Sequence, residues 1–144
     1  MAGNYTIDKN AAASATNFTS FSAAAERLHN CGVSGRVIIS VVNGSGPYTE
    51  QVDLLQIPGA SAVNSVIFRG NGNALNAIPT AAKTAVLKFD NADFVRIDNL
   101  NIALNGTVSV SNPAFSAIQL VNNSDNDTIS NCTITMPHTA ASNA

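Results

Sequence analysis

A stretch that occurs twice limits the fold more than any other feature of this chain. AVLKFDNADFVRIDNLNIAL, from Ala85, lies over AIQLVNNSDNDTISNCTITM, from Ala117, without a gap. Six positions coincide: Ala85 with Ala117, Asn91 with Asn123, Asp93 with Asp125, Ile97 with Ile129, Asn99 with Asn131, and Ile102 with Ile134. In the first half, Leu87 and Phe89 meet Ile118 and Leu120 only after a slip of one residue, which places an added residue in the turn. Repeated short strands that stack their apolar residues are the pattern of a parallel β-solenoid, because one coil alone has nowhere to bury its inner face.

Alternation within the repeat divides it into two faces. Leu87, Phe89, Val95, Ile97, Leu100 and Ile102 are expected to point inward, with Ile129 and Ile134 repeating Ile97 and Ile102, while Lys88, Arg96 and Asp98 point outward. Asn99 and Asn131 fall between strands, where Asn tolerates the left-handed conformation; stacked amides there are expected to form an asparagine ladder. Upstream, Val37, Ile39 and Val41, then Val52, Leu54 and Ile57, then Val66 and Phe68 continue the inner face in less regular coils.

One segment has a different period. In NFTSFSAAAERLHNCG, residues 17–32, Phe18, Phe21, Ala25 and Leu28 recur every three or four positions, with Asn17 or Thr19 as N-cap and Gly32 at the C-terminus. This amphipathic helix is expected to cap the first coil, since a bare solenoid end exposes apolar core and unpaired backbone. The reading is an all-β right-handed parallel β-helix in one domain: a leading segment 1–16, the capping helix 17–32, coils 35–136 and a tail 137–144. Because the sequence stops just after the inward Ile134, a truncated solenoid with an open end is expected, one that stacks end to end or forms fibres.

Charge and composition exclude several functions. Only 11% of residues are charged and the net charge is −2, with no Lys/Arg cluster, so no nucleic-acid partner is expected. No apolar run is long enough to span a bilayer, and MAGNYTIDKN lacks the apolar core of a signal peptide. Cys31 and Cys132 fit no metal-binding spacing and are expected to be separate buried thiols; no cofactor is expected.

Five short motifs suggest a family. They are Gly3-Asn4-Tyr5-Thr6-Ile7, the Phe18 to Leu28 helix, Gly32-Val33-Ser34-Gly35, Gly46-Pro47-Tyr48-Thr49-Glu50 and Ile57-Pro58-Gly59-Ala60-Ser61. Over roughly residues 3–135 the chain resembles the N-terminal part of large secreted, pectate-lyase-like β-helix proteins of Bacteroidota. The resemblance implies a right-handed solenoid, export, and a role in adhesion, surface display or polysaccharide contact rather than catalysis.

The enzymatic alternative is a polysaccharide lyase, which needs Ca²⁺-binding carboxylates and a basic side chain on one outward sheet. Asp90, Asp93, Asp98, Asp125 and Asp127 with Arg96 and Lys88 are the candidates, although most of these aspartates sit where turn geometry alone favours Asp. His29, near the helix end, and His138, in the tail, have no partner motif, and Tyr5 and Tyr48 are the aromatics available for sugar stacking. The expected function is therefore a non-catalytic structural or adhesive module whose partner is a second copy or a polysaccharide. The alternative is the non-catalytic N-terminal part of a polysaccharide-binding or polysaccharide-degrading enzyme.

Overall fold

Pleating sends alternate side chains to opposite faces, and burial alternates accordingly along Val37–Val41, where Val37, Ile39 and Val41 are fully buried. The computed structural model, which describes residues 1–106 and 115–137, arranges such strands as a parallel β-solenoid of about four turns with one short helix. In chain order the strands are β1 (Gly3–Ile7), β2 (Asn17–Phe18), β3 (Val37–Val41), β4 (Tyr48–Thr49), β5 (Val52–Leu55), β6 (Val66–Arg69), β7 (Ala74–Ala77), β8 (Ala85–Asp90), β9 (Val95–Asp98), β10 (Asn101–Leu104), β11 (Ser116–Val121), β12 (Thr128–Ser130) and β13 (Thr133–Thr135). Helix α1 is Phe21–Cys31.

Three parallel sheets form the walls. The first runs β12-β9-β6-β3-β1-β2, the second β13-β10-β7-β4 and the third β11-β8-β5. Each coil visits them in turn, so residues in register stack: Val37, Val66 and Val95 form one inner column, and Ile39, Phe68, Ile97 and Ile129 another. The residues expected inside from Leu87 to Ile102 are all buried.

The repeat contains the expected slip. Leu87 pairs with Ile118 and Phe89 with Leu120, whereas Ile97 pairs with Ile129 and Ile102 with Ile134. The added residue is absorbed as two consecutive left-handed residues, Asn122 and Asn123, where the preceding coil has Asn91 alone before Phe94.

The capping helix is shorter than its apolar spacing predicts. Asn17–Phe18 is strand β2 rather than helix, because Thr6 Oγ1 donates to Asn17 Oδ1 at 2.7 Å, Asn17 Nδ2 donates to Asp8 O, and Asp8 N donates to Phe18 O, binding the segment to β1. The N-cap is Ser20, not Asn17 or Thr19; its extended backbone directs Oγ to Ala23 N at 3.0 Å. Glu50, in the turn before β5, accepts from the first two helical amides, Phe21 N and Ser22 N, both at 2.9 Å, and fixes the helix start to the first coil. Gly32 closes the helix as expected, with φ 60° and its N–H on Leu28 O.

Phe18 still belongs to the cap, but from a strand. It stacks on Tyr5 with ring centroids 5.9 Å apart, while Phe21 of α1 meets Tyr48 edge-on at 5.2 Å and Phe68 at 6.2 Å. Phe21, Ala24, Ala25 and Leu28 form the buried face of α1, which packs against β5. The stack also begins before residue 35: β1 pairs with β3 from Gly3↔Val37 to Ile7↔Val41.

The other end has no such cover among the described residues. Its final coil, β11, β12 and β13, forms the outer strand of all three sheets. Ile129 and Ile134 occupy the inward register of Ile97 and Ile102 yet are 37% and 52% exposed, and Leu120 and Met136 are exposed beside them. They therefore point toward the core axis without being core residues.

Candidate functional site

Outward polar side chains are the place to look for chemistry, and pleating distributes the acidic candidates over different walls. Lys88 and Asp90 alternate on the third sheet and pair at 2.7 Å; Arg96 and Asp98 alternate on the first and pair at 3.2 Å. Asp93, Asp125 and Asp127 lie at the corner between these two sheets. No group of three or more metal-ligating side chains is assembled among the described residues.

Most of these carboxylates are occupied by the next coil. Asp98 Oδ1 accepts from Ser130 Oγ at 2.7 Å, Asn131 Nδ2 at 2.8 Å and Arg96, and those hydrogen bonds, in that order, hold its pKa below the usual carboxylate range. Asp90 is likewise lowered, first by Lys88 and then by the amide of Asn122, whose Nδ2 lies 2.6 Å from Asp90 Oδ1. Asp93 Oδ1 accepts from Asp125 N at 2.7 Å.

Asp127, in the last described coil, turns back to the coil before it. Its Oδ1 accepts from Val95 N at 2.9 Å, whereas Oδ2 is enclosed with no hydrogen-bond partner among the described residues. Burial raises its pKa to about 6, the Val95 amide opposes the rise, and Asp93 and Asp125 add repulsion. A carboxyl whose pKa is raised on folding contributes stability that is fully present below its unfolded value of about 3.9 and is lost as pH rises through the folded value. Between pH 4 and 6.5, Asp127→Asn is therefore expected to flatten the decline of stability with pH and to be the more stable chain at pH 7.5. Urea titrations across that window test this, and an unchanged slope would exclude Asp127 as its source.

Neutral amides also act between coils. Asn71 Nδ2 donates to Val41 O at 2.7 Å, Asn101 Nδ2 to Gly72 O at 2.9 Å, and Gln51 Nε2 to Lys83 O and Ala85 O. Asn99 and Asn131 are left-handed, with φ 53° and 54°, as their turn position predicts. Their contact differs from a stack of amides: Asn131 Nδ2 bonds Asp98, and Asn99 N donates to Ser130 O at 3.0 Å. The acidic neighbour is the stronger acceptor for the amide.

No family, curated protein or solved structure matches the chain.

The remaining candidates separate. Tyr48 is buried, with its hydroxyl 2.7 Å from Ser45 Oγ, and Tyr5 has a face against Phe18, so the two tyrosines form no exposed platform. His29 Nδ1 lies 2.8 Å from Gln56 O at the helix end, and His138 lies outside the described residues. The cysteines are free and separate, but Cys31 is exposed and Cys132 half-buried: the buried stripe of α1 ends at Leu28, and Cys132 lies in the uncovered final coil.

Two surface clefts are not foreshadowed by any motif. One of about 530 Å³ lies on the cap, lined by Phe18, Glu26, Arg27 and Cys31 among others. Another of about 240 Å³ lies on the outer face of the first sheet, where Phe94, held at φ 59°, adjoins Ile67, Arg96, Asn126 and Thr128. A bulky residue in the left-handed region is rare; of the positions stacked on Phe94, Asn126 is left-handed as well and Ser65 is not.

Proposed function

We propose that the chain is a non-catalytic structural or adhesive solenoid module of a secreted or cell-surface protein. The observation that carries this reading is the use of the outward carboxylates. Asp90, Asp93 and Asp98, residues a lyase would need free and convergent, instead accept hydrogen bonds from the following coil, and Asp90 and Asp98 also pair with Lys88 and Arg96 of their own strands. The extracellular setting rests on the resemblance of the chain's motifs to those of secreted β-helix proteins.

Incubation with polygalacturonate and other acidic polysaccharides, with and without Ca²⁺, tests it by absorbance of unsaturated sugar ends. No turnover is expected, and Asp98→Ala is expected to lower thermal stability alone. Turnover abolished by Lys88→Ala or Arg96→Ala would overturn the reading.

The second reading, a non-catalytic part of a polysaccharide-active enzyme, is favoured by the cleft at Phe94. An aromatic ring beside a guanidinium on a flat wall suits a sugar ring flanked by hydroxyls or a carboxylate. Retention on insoluble polysaccharide that Phe94→Ala abolishes would support it.

A further inference from the structure

We propose that the outer face of the first sheet binds an anionic polysaccharide, with Arg36, Arg69 and Arg96 holding its carboxylate or sulfate groups and Ile67 and Phe94 supporting its rings. The inference rests on the reading of the Phe94 cleft as a sugar contact and adds the charge of that sugar.

Register, not sequence, gathers these residues. Three of the chain's four arginines, far apart in the chain, fall on this one wall. Ile38, Ile67 and Arg96 occupy one outward column, and Arg69 stands beside Ile67 in the next, one coil before Asp98. Arg36 and Phe94 lie in the column leading into the strands: Gly3 N donates to Arg36 O, Val37 N to Ser65 O and Val66 N to Phe94 O. Paired strands are about 4.8 Å apart, so all three arginines and Phe94 stand on the coil of Ile67 or on one next to it.

The charge on this wall is not neutralised from within. Beside the third sheet the cations are paired, Lys83 with Asp53 at 2.9 Å and Lys88 with Asp90 at 2.7 Å. Arg36 and Arg69 are exposed and make no ion pair among the described residues. Arg96 reaches Asp98 through Nη2 alone, and Asp98 also accepts from Ser130 and Asn131. A chain of net charge −2 thus carries a local surplus of guanidinium groups around an apolar centre. A guanidinium offers paired N–H donors that match carboxylate or sulfate oxygens.

The form of the surface selects a glycan over an acidic peptide. An extended peptide gains its main-chain hydrogen bonds at a sheet edge, whereas this is a sheet face. A sugar ring lays its C–H face on Phe94 and Ile67 and carries its acid group at the ring edge. Anionic groups recurring along an extended glycan then meet guanidiniums on successive coils. Asp93 and Asp125 border the Phe94 corner, which directs the glycan along the coils from Arg36 toward Arg96 rather than across that corner.

Affinity electrophoresis of the full chain in gels containing alginate, dextran sulfate or neutral dextran tests the proposal. Retardation by an acidic glycan and not by dextran is expected, and the retarding gel tells carboxylate from sulfate. Arg36→Gln and Arg69→Gln are each expected to weaken binding about three- to fivefold, as loss of an exposed ion pair does. Arg27→Gln, which removes the same charge from the cap, and EDTA should both leave it unchanged, because guanidinium groups need no bridging cation. Should either wall variant misfold, methyl NMR of the unaltered chain replaces it: the acidic glycan should shift Ile38 and Ile67 and leave the buried Ile57 unmoved. Equal weakening by Arg27→Gln, loss of binding in EDTA, or methyl shifts confined to other residues would overturn the proposal. Retardation by neutral dextran that Phe94→Ala removes and the arginine variants leave intact would overturn it while sparing the sugar reading of the cleft. No retention in these gels or on insoluble polysaccharide overturns both.

Discussion

Alanine at Gly59 is expected to lower stability by about 3 to 5 kcal/mol, the sum of a left-handed backbone penalty and an overlap that the surroundings must absorb. Gly59 has φ 83°, and a Cβ added there would lie 2.2 Å from Val33 O. Opposite it, a Cβ on Gly32 would lie 2.5 Å from Pro58 O, and Val33 N donates to Pro58 O at 2.8 Å. The residues after the helix and the residues opening the next coil thus press together backbone to backbone, which brings the Gly32–Gly35 and Ile57–Ser61 segments into contact.

Two further glycines separate the causes. Gly44 has φ 72° but open space around it, so alanine there should cost about 1 to 2 kcal/mol from the backbone alone. Gly70 has no positive φ, yet its Cβ would lie 2.4 Å from Asn99 O and 2.7 Å from Leu100 Cα, so its cost is purely one of crowding. Urea unfolding of the three variants should rank Gly59→Ala and Gly70→Ala well below Gly44→Ala. Equal losses at Gly59 and Gly44 would show that contact with Val33 is not what excludes a side chain.

The glycine contacts also show where reading the sequence stops. Strands with alternating β-branched residues, such as β3 and β9, are evident from pattern alone, because one buried face imposes period two. β7 is not: ALNA has no β propensity and becomes a strand because β4 and β10 pair with it from either side. Asn17–Phe18 reads as helix because Phe18 fits a stripe of period 3.6, and only the distant bonds to Thr6 and Asp8 decide otherwise. The candidate carboxylates were visible as residue types, but their use was not, since Asp98 meets Ser130 and Asn131 only once register is known. Phe94 gave no signal at all, its oddity being a backbone angle.

A corner hidden in the same way carries the second large effect. Between Arg69 and Ala74 the chain needs Gly70-Asn71-Gly72-Asn73, whereas the next coil turns with Asn99-Leu100. Asn73 takes the position stacked on Leu100, buried to 6% exposure, and serves the longer turn: Nδ2 donates to Gly70 O at 2.8 Å and Val42 O at 3.1 Å, and Oδ1 accepts from Gly46 N at 2.9 Å. Asn73→Leu, although it copies the next coil, leaves Gly46 N without its partner and takes one donor each from Gly70 O and Val42 O, which keep Asn73 N and Ser45; at about 1 to 3 kcal/mol for the unsatisfied group and about 0.5 to 1.5 kcal/mol for each other lost bond, the expected loss is about 2 to 5 kcal/mol. Asn73→Asp separates hydrogen bonding from volume. It keeps the acceptor for Gly46 N but turns a second carboxylate oxygen toward two carbonyls, which raises the pKa of the new group. Its deficit relative to the unaltered chain should therefore shrink as pH falls and the carboxyl gains a proton to donate to Gly70 O. Urea unfolding of both variants at pH 4.5 and 7.5 provides the check: a pH-independent deficit for Asn73→Asp would mean that the corner is held by packing and not by the amide.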